Sequence, residues 1–441
     1  MKVYFVSLGC DKNTVDSEMM LGILDKNGHE ITYDEQEAEA VVINSCAFIA
    51  DAKQESINTI LEMAELKKQG KLRHIIVTGC LGQRYKEEIQ KEIPEVDVIL
   101  GIQSFDQVAA VLDKAEAGEK VGNEFADLKS APISGHKRLL TTATHYAYLK
   151  IAEGCDKYCT YCIIPTLRGR YRSVPMETLL SDAEDLVSRG VRELILVAQE
   201  TTIYGTDIYG EKRLPALLRE LAKIEGLDRI RILYCYPEEI TDELIKVMKE
   251  ESKVCNYIDM PIQHASDVIL KRMGRKTTEA DIRDIIGKLR REIPDICIRT
   301  TLITGFPGEK RSDHKKMLKF IEDCRFDRLG AFTYSAEEGT PAATMPHQVP
   351  EWLKRRRRDA VMKLQQQIVF EENKALVGTE FDVMIEGRLI EDEVYVTRSY
   401  KDAPGVDGYI FVQSDRDLVS GDIIHVCITD AKGYDLVAKE V

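Results

Sequence analysis

The sequence predicts an α/β chain of three parts: an N-terminal open parallel α/β domain, a central partial β/α barrel and a small C-terminal all-β barrel of the oligonucleotide-binding type. Three observations carry this. Apolar strand-like runs alternate with helix-like stretches over about 1–116 and again over about 146–341, the signal of parallel strands joined by crossover helices. A polar, helix-poor stretch with Pro132, Ser134 and Gly135 separates the two series and reads as a linker. The last 67 residues alternate apolar and polar side chains in short runs, which suits antiparallel strands closing into a barrel. The expected boundaries are 1–117, a linker over 118–140, 141–372 and 375–441.

In the first block the strands read Val3-Tyr4-Phe5-Val6, Ala40 to Ile43, His74 to Val77 and Val96 to Leu100, with helices over Asp16 to Lys26 and Ala52 to Lys68. The second block offers six strands: Tyr148 to Ala152, Leu194 to Ala198, Ile230 to Tyr234, Tyr257 to Met260, Ile296 to Ile303 and Leu329 to Tyr334. Six strands with intervening helices suit a partial barrel, whose active site lies at the strands' carboxyl ends. A basic helix over about Glu351 to Ala375 leads to the last block, where strands are expected from Phe381, at Val394 to Thr397, Tyr409 to Val412 and Ile423 to Thr429.

The 441 residues include 44% hydrophobic side chains, which excludes a disordered or collagen-like chain. No apolar run approaches the ~20 residues that cross a bilayer, and polar sequence follows Gly9-Cys10 too soon for a signal-peptide core. A cytoplasmic protein without a membrane partner is expected. With 61 basic against 75 acidic residues the net charge is −14, which argues against a general nucleic-acid coat.

Eleven cysteines are the informative excess. In a reducing compartment they serve packing, catalysis or metal binding rather than disulfides. Cys235, Cys255, Cys297, Cys324 and Cys427 stand singly in apolar surroundings and read as small buried hydrophobes. Cys10, Cys46 and Cys80 do not fit that reading. Each follows an apolar strand of the first block after a short Gly or Ser turn, so the three meet where open parallel sheets bind ligands. Thiolates without neighbouring histidines suit zinc or an iron–sulfur cluster.

Cys155, Cys159 and Cys162 form a local C-x3-C-x2-C loop directly after the first strand of the second block. One loop can wrap a 4Fe–4S cube this way and leave its fourth iron open; a structural zinc would want a fourth protein ligand, and none is adjacent. With Tyr161 just before its last cysteine, the loop resembles the radical S-adenosylmethionine superfamily. The resemblance implies that the open iron chelates the methionyl amine and carboxylate and that Tyr161 lies beside the adenine. Reductive cleavage of the sulfonium then gives a 5′-deoxyadenosyl radical. It further implies methionyl contacts at Gln199 and Glu200, after the second barrel strand, and a glycine-rich turn near the cofactor at Gly305. Read from the residues alone, Thr304-Gly305-Phe306-Pro307-Gly308-Glu309 is a turn, and His264 in Met260-Pro261-Ile262-Gln263-His264 is a structural histidine.

Taken together, the dispersed triad, the loop and the terminal β-barrel resemble the methylthiotransferase family across essentially the whole chain. The resemblance implies two 4Fe–4S clusters and S-adenosylmethionine, an auxiliary cluster on Cys10, Cys46 and Cys80 that carries the incoming sulfur, and a C-terminal TRAM domain. It implies an electron donor such as flavodoxin or ferredoxin. No side chain is assigned as a catalyst, because an apolar C–H is beyond acid–base chemistry and the cofactor supplies the radical.

Branches of the family modify a tRNA adenosine or an aspartate β-carbon in protein twelve of the small ribosomal subunit. Lys12-Asn13 and Val15-Asp16-Ser17-Glu18 resemble the ribosomal-protein branch, whereas the tRNA branch usually has Gln-Met-Asn after the cysteine. His145 to Cys155 and Ala403-Pro404-Gly405-Val406-Asp407-Gly408 also resemble that branch. Asp11 departs from its pattern, where proline is usual. Charge gives an independent test: residues 375–441 hold fourteen acids against six bases, a net of −8. Such a surface repels phosphates and attracts a basic ribosomal protein or the ribosomal subunit carrying it. The basic run Lys354 to Arg358 beside Trp352 opposes this, and is read as an exposed helix face. Arg168-Gly169-Arg170-Tyr171-Arg172-Ser173 could bind a carboxylate or phosphate bidentately. The alternatives are a tRNA methylthiotransferase and a non-catalytic metal scaffold.

Overall fold

The computed structural model describes residues 1–389 and 394–441. Three of the acids counted on the last block, Glu391, Asp392 and Glu393, lie outside the described residues. The N-terminal unit runs β1 (Lys2–Ser7), α1 (Asp11–Lys26), β2 (Glu30–Thr32), β3 (Ala40–Ser45), α2 (Ala50–Lys68), β4 (His74–Thr78), α3 (Gly79–Arg84), α4 (Lys86–Glu92), β5 (Val98–Ile99) and α5 (Val108–Glu116). Its five strands form one sheet in the order β2-β1-β3-β4-β5, parallel throughout. Every residue of β3 is buried, because helices cover both faces of the sheet. Val41, Ile43, Ile75 and Val77 pack on one side with Ile60 and Met63 of α2; Val3, Val42 and Ile76 pack on the other with Met20 and Leu24 of α1.

The stretch read as a linker carries no helix, yet it is bound to the first unit. Glu124 bridges Leu100 at the sheet edge, and Arg138 is buried against Glu18. Its polar residues fasten the chain instead of solvating it.

The central unit continues with β6 (Tyr146–Lys150), β7 (Ala152–Glu153), α6 (Ile164–Arg168), β8 (Arg172–Ser173), α7 (Met176–Ser188), β9 (Glu193–Val197), α8 (Leu214–Ala222), β10 (Arg229–Ile232), α9 (Asp242–Glu250), β11 (Val254–Asp259), α10 (Asp267–Arg272), α11 (Glu279–Glu292), β12 (Cys297–Thr304), α12 (Arg311–Cys324), β13 (Arg328–Thr333) and α13 (Glu351–Ala375). The six long strands form an open parallel sheet in the order β13-β12-β11-β10-β9-β6. Residues such as Leu194, Ile230, Ile258 and Leu302 face the outer helices. Their neighbours Ile195, Val197, Tyr257 and Cys297 face inward and meet Ala403 and Tyr400 of the last unit.

That unit is a closed five-stranded barrel in the order β14-β15-β16-β18-β17, from β14 (Glu380–Leu389), β15 (Val394–Arg398), β16 (Ile410–Gln413), β17 (Ile423–Lys432) and β18 (Asp435–Glu440). The sequence reading lacked β18, whose short Asp435-Leu436-Val437-Ala438 run carries little strand signal. Cys427 is half-buried on β17 between the inward Val426 and Ile428, so it faces outward and is not a core filler; the other four lone cysteines are buried. Among the described residues no helix is long and apolar enough to cross a membrane.

The β-barrel docks on the amino-terminal ends of the central strands through buried charge. Glu193 opens β9 with Oε1 2.8 Å from Arg231 Nε and Oε2 2.7 Å from Arg398 Nη1. The Ala403 to Gly408 segment enters the same face: Tyr257 donates to Asp407 Oδ2 at 2.9 Å, and Arg328 pairs with Asp402. Burial alone would raise the Glu193 carboxyl, but Arg398 and Arg231 outweigh it and hold it down to about 2. Its contribution to stability is therefore complete above its ordinary 4.5 and is lost as pH falls from there toward about 2. Glu193→Gln is expected to destabilise the chain at neutral pH by about 3–5 kcal/mol, because two buried guanidinium groups lose their carboxylate. It should also flatten the acid dependence in that window. Urea unfolding followed across pH measures both.

Candidate functional site

Both cysteine groups lie beyond strand ends. Cys10 precedes α1 and is exposed, Cys46 follows β3 and is buried, and Cys80 sits in the first turn of α3 rather than in a turn. Local packing brings them together. Gly9 has φ +101°, and a Cβ there would stand 2.9 Å from Cys46 Cβ and 3.1 Å from its Sγ; only glycine lets the two loops approach so closely. Ser56 of α2 brackets Cys46, donating to its carbonyl at 3.0 Å and accepting from its amide at 2.9 Å. Asn13 donates to the carbonyls of Leu8 (2.9 Å) and Ser45 (3.2 Å), tying the first two strand ends.

The second group, Cys155, Cys159 and Cys162, follows β7. Cys155 and Cys159 are buried and Cys162 half-buried. The loop is pinned to α10: the Thr160 amide donates to the Met273 carbonyl at 2.9 Å, and its hydroxyl to the Arg272 carbonyl at 2.8 Å. Tyr161 packs edge-on to Phe306 at 6.4 Å between centroids.

Between the two groups lies a buried polar cluster. Arg168, at the end of α6, reaches Asp16 Oδ2 at 3.1 Å and Glu153 Oε2 at 3.0 Å. It also donates to Asn13 Oδ1 and, at 3.5 Å, to the Cys80 Sγ. Lys150 of β6 pairs with Asp16 and with Glu153 at 3.0 Å. Gln199 Nε2 completes Glu153 at 2.8 Å. Burial would raise the Glu153 carboxyl, but Arg168 and Lys150 hold it below the usual carboxylate range. The expectation that Arg168 binds an external carboxylate is thus corrected: its fork is already occupied within this chain, Nη1 by Asp16 and Glu153 and Nη2 by Asn13 and Cys80. Arg170 is exposed beside Asp156, and Arg172 donates to the Ser130 and Arg168 carbonyls.

Two further motif residues on α1 fasten the helix elsewhere. Ser17 meets Ser7 at 2.7 Å and Asn44 at 2.9 Å, while Glu18 accepts from Arg138 and from the Thr141 amide at 2.8 Å.

The remaining sequence-selected residues fall at the same strand ends. Glu200 is buried, engages Thr202 through Oε1 and leaves Oε2 without a hydrogen-bond partner; Gln199 Oε1 is likewise unpartnered. Burial pushes the Glu200 carboxyl up to about 7 against the pull of Lys157. Gly305 has φ +74°, and its bare face is filled by Lys354, whose Cγ would lie 2.2 Å from a Cβ; the glycine is required by this packing. Lys354 donates to the Tyr334 carbonyl at 2.7 Å and Arg357 pairs with Glu309 at 3.2 Å. Two of the five cations in the basic run are therefore buried structural groups, a correction to the exposed-face reading. His264 is structural as expected: buried, it accepts from the Ala265 and Ser266 amides at 2.9 Å, and burial lowers it to about 3.

Arg275 carried no sequence signal. It stacks 4.2 Å over the Tyr236 ring, whose hydroxyl lies 3.8 Å from Cys159 Sγ, and its buried Nε and Nη1 lack partners. A guanidinium with two free donors, its Nη2 held by the Pro261 carbonyl at 2.7 Å, and the Glu200 carboxylate, whose Oε2 meets only Lys157 Nζ at 3.6 Å, thus flank one cysteine loop. This suits a zwitterionic ligand carrying a carboxylate and an ammonium.

Burial pushes the Cys46 thiol up to about 11 and those of Cys155 and Cys162 to about 12. A metal partner is what makes them thiolates at neutral pH. Among the described residues no three His, Cys, Asp or Glu side chains lie close enough to hold a single ion. Thiolates on one tetrahedral zinc would stand about 3.8 Å apart, at a Zn–S length of about 2.3 Å. A cubane seats each thiolate on its own iron, and an all-thiolate donor set is the chemistry such a cluster takes.

Comparison with known proteins agrees with this arrangement. Residues 2–101 match Uncharacterized protein family UPF0004, residues 149–321 the Radical SAM superfamily and residues 377–441 the TRAM domain. The ribosomal protein uS12 methylthiotransferase RimO of Lachnoclostridium phytofermentans is 56% identical over 437 residues, covering 99% of each chain. The chain belongs to the RimO methylthiotransferase family. RimO of Geobacter sulfurreducens is 48% identical over 439 residues, 99% of this chain and 98% of its own. Among solved structures, the radical S-adenosylmethionine methyltransferase TsrM from Kitasatospora setae, with cobalamin and a [4Fe-4S] cluster bound, shares the fold. It superposes at TM-score 0.57 with 14% identity, covering 77% of this chain and 73% of its own.

Arg168→Met is expected to lower the stability of the metal-free chain by about 3–5 kcal/mol, since Asp16 and Glu153 would share Lys150 alone. Arg168→Lys should cost less, because the charge survives. Denaturant unfolding of the two variants checks the order.

Proposed function

We propose that this chain is a uS12 methylthiotransferase that acts on the β-carbon of an aspartate, with Cys155, Cys159 and Cys162 holding the radical S-adenosylmethionine cluster and Cys10, Cys46 and Cys80 the auxiliary cluster. The observation that carries the proposal is the direct link between the two cysteine groups: Arg168 donates to Cys80 and holds Glu153, two residues before Cys155. When bound, the two clusters and S-adenosylmethionine supply radical hydrogen abstraction and the sulfur that replaces the hydrogen.

The chain's own side chains bind, orient and exclude water. Arg275 and Glu200 offer complementary charges to the methionyl carboxylate and ammonium. Gln199, held by Glu153, aims its free Oε1 to the same region, and Tyr161 lends an aromatic face. The Arg168 cluster fixes the auxiliary cysteines against the barrel, so that distance between the reacting groups is set by packing. Exposed Phe48, two residues past Cys46, and Tyr158, inside the second loop, give a substrate protein apolar footing.

The acidic β domain favours a basic protein over tRNA. On the opposing basic run only Arg355, Arg356 and Arg358 remain outside the buried set, so the tRNA alternative is not favoured. The reducing electron is assigned to a flavodoxin or ferredoxin, as the family resemblance implies.

Anaerobic reconstitution and mass spectrometry test this reading. The wild-type chain should bind about eight irons and add a methylthio group to one uS12 aspartate; Cys46→Ala should bind about four and add none. Modification of tRNA with uS12 untouched would refute it.

A further inference from the structure

The proposed reaction brings an aspartate side chain to the Cys10, Cys46, Cys80 group. A carboxylate held beside thiolate charge needs a cation with hydrogen-bond donors to spare. The other cations of the two cysteine groups are accounted for: Lys150 and Arg168 by Asp16 and Glu153, Lys157 by Glu239, Arg299 by Asp259 at 3.0 Å, and Arg275 by its place over Tyr236 beside Cys159 in the second group.

Lys12 differs. It lies in the first turn of α1, two residues after Cys10, and is 7% exposed. Its Nζ stands 3.5 Å from the centroid of the Tyr234 ring and 3.7 Å from Asp11 Oδ1, beyond hydrogen-bond length. Asp11 instead accepts from the Tyr234 hydroxyl at 2.9 Å. An ammonium has three donors, and its neighbours here are the face of the Tyr234 ring and the longer pairing with Asp11.

The ring beneath it is placed deliberately by the fold. Tyr234 adopts φ +61°, a left-handed conformation that bulky residues rarely take and that concentrates at functional sites. Its amide is held by Asp259 Oδ2 at 3.0 Å and its carbonyl by the Thr201 amide at 3.1 Å. The barrel thus presents an aromatic face at the carboxyl end of β10, under a lysine that belongs to the N-terminal unit. A cation–π contact holds the ammonium in place and leaves its donors available.

We propose that Lys12 is a specificity-determining residue that receives the carboxylate of the substrate aspartate, donating to it beside Cys10 while the Tyr234 ring fixes the ammonium. The proposal rests on the aspartate reading above. It explains why the buried lysine is only loosely paired within the chain, at 3.7 Å from Asp11 Oδ1: the hydrogen-bonding carboxylate arrives with the substrate. It also sets the selectivity, because an asparagine in the same place leaves the charge uncompensated.

The test uses reconstituted wild-type, Lys12→Met and Lys12→Gln chains, each checked for iron content and thermal midpoint. Affinity is measured for uS12 and for uS12 carrying asparagine at the modified position. The wild-type chain should prefer the aspartate form by roughly tenfold or more, the scale of one charge-assisted hydrogen bond, and both variants should bind the two forms alike. Equal wild-type affinity for the two forms, or a variant that keeps the full preference, overturns the role of Lys12 alone. Absence of any uS12 binding by the wild-type chain is a separate outcome, and removes the aspartate reading together with this inference. If Lys12→Met fails to load iron, the Lys12→Gln comparison and the wild-type ratio decide.

Discussion

The structure turns on a charge-balanced group buried between its two cysteine-bearing units, Arg168 and Lys150 against Asp16 and Glu153. Removing any one of these charges from water is expensive, and only near-ideal pairing offsets it. The partners come from α1, β6, β7 and α6, so a slip of one unit against the other would leave carboxylates or cations stranded. Such a group adds little over a well-packed apolar contact in net stability. What it provides is registration: the loops carrying Cys10, Cys46 and Cys80 can sit on the barrel in one way.

The same logic operates at the opposite end of the barrel. Glu193, Arg231 and Arg398 lock the β domain to the amino-terminal strand ends, and Asp407 reaches Tyr257 from the segment Ala403 to Gly408. With both ends held by buried ions, the carboxyl ends of the strands face the two cysteine loops. A domain of oligonucleotide-binding shape is here fixed to the amino-terminal end of the central barrel, and its acidic surface is presented in a defined orientation.

Much of this was legible in the sequence. The six barrel strands were readable because each is a run of four to eight mostly apolar or β-branched residues between polar turns, and the long basic helix because nothing breaks it between Pro350 and Gly378. The cysteine groups were readable because thiols recur at strand ends. What was not legible is what depends on partners far apart in the chain. Arg168 looked like a ligand-binding arginine, since Asp16 lies 152 positions away. Lys354 and Arg357 looked like surface charge, because an arginine run gives no hint of which face Gly305 and Glu309 will occupy. Arg275 had no motif to mark it, and Lys12 was legible only as part of the Lys12-Asn13 family signature; the roles of both come from aromatic rings placed beneath them by other strands. The motif Val15-Asp16-Ser17-Glu18 was recognised as a family signature, and only the fold shows each polar member bonded across a different seam.

The central claim is that the two cysteine groups hold their clusters against each other across the Arg168 junction. Electron paramagnetic resonance of the fully reconstituted, reduced chain tests it most directly. The account predicts spectra broadened by magnetic interaction between two clusters, collapsing to one simple signal when Cys46 is replaced by alanine. Two sharp, independent signals that merely add would contradict it.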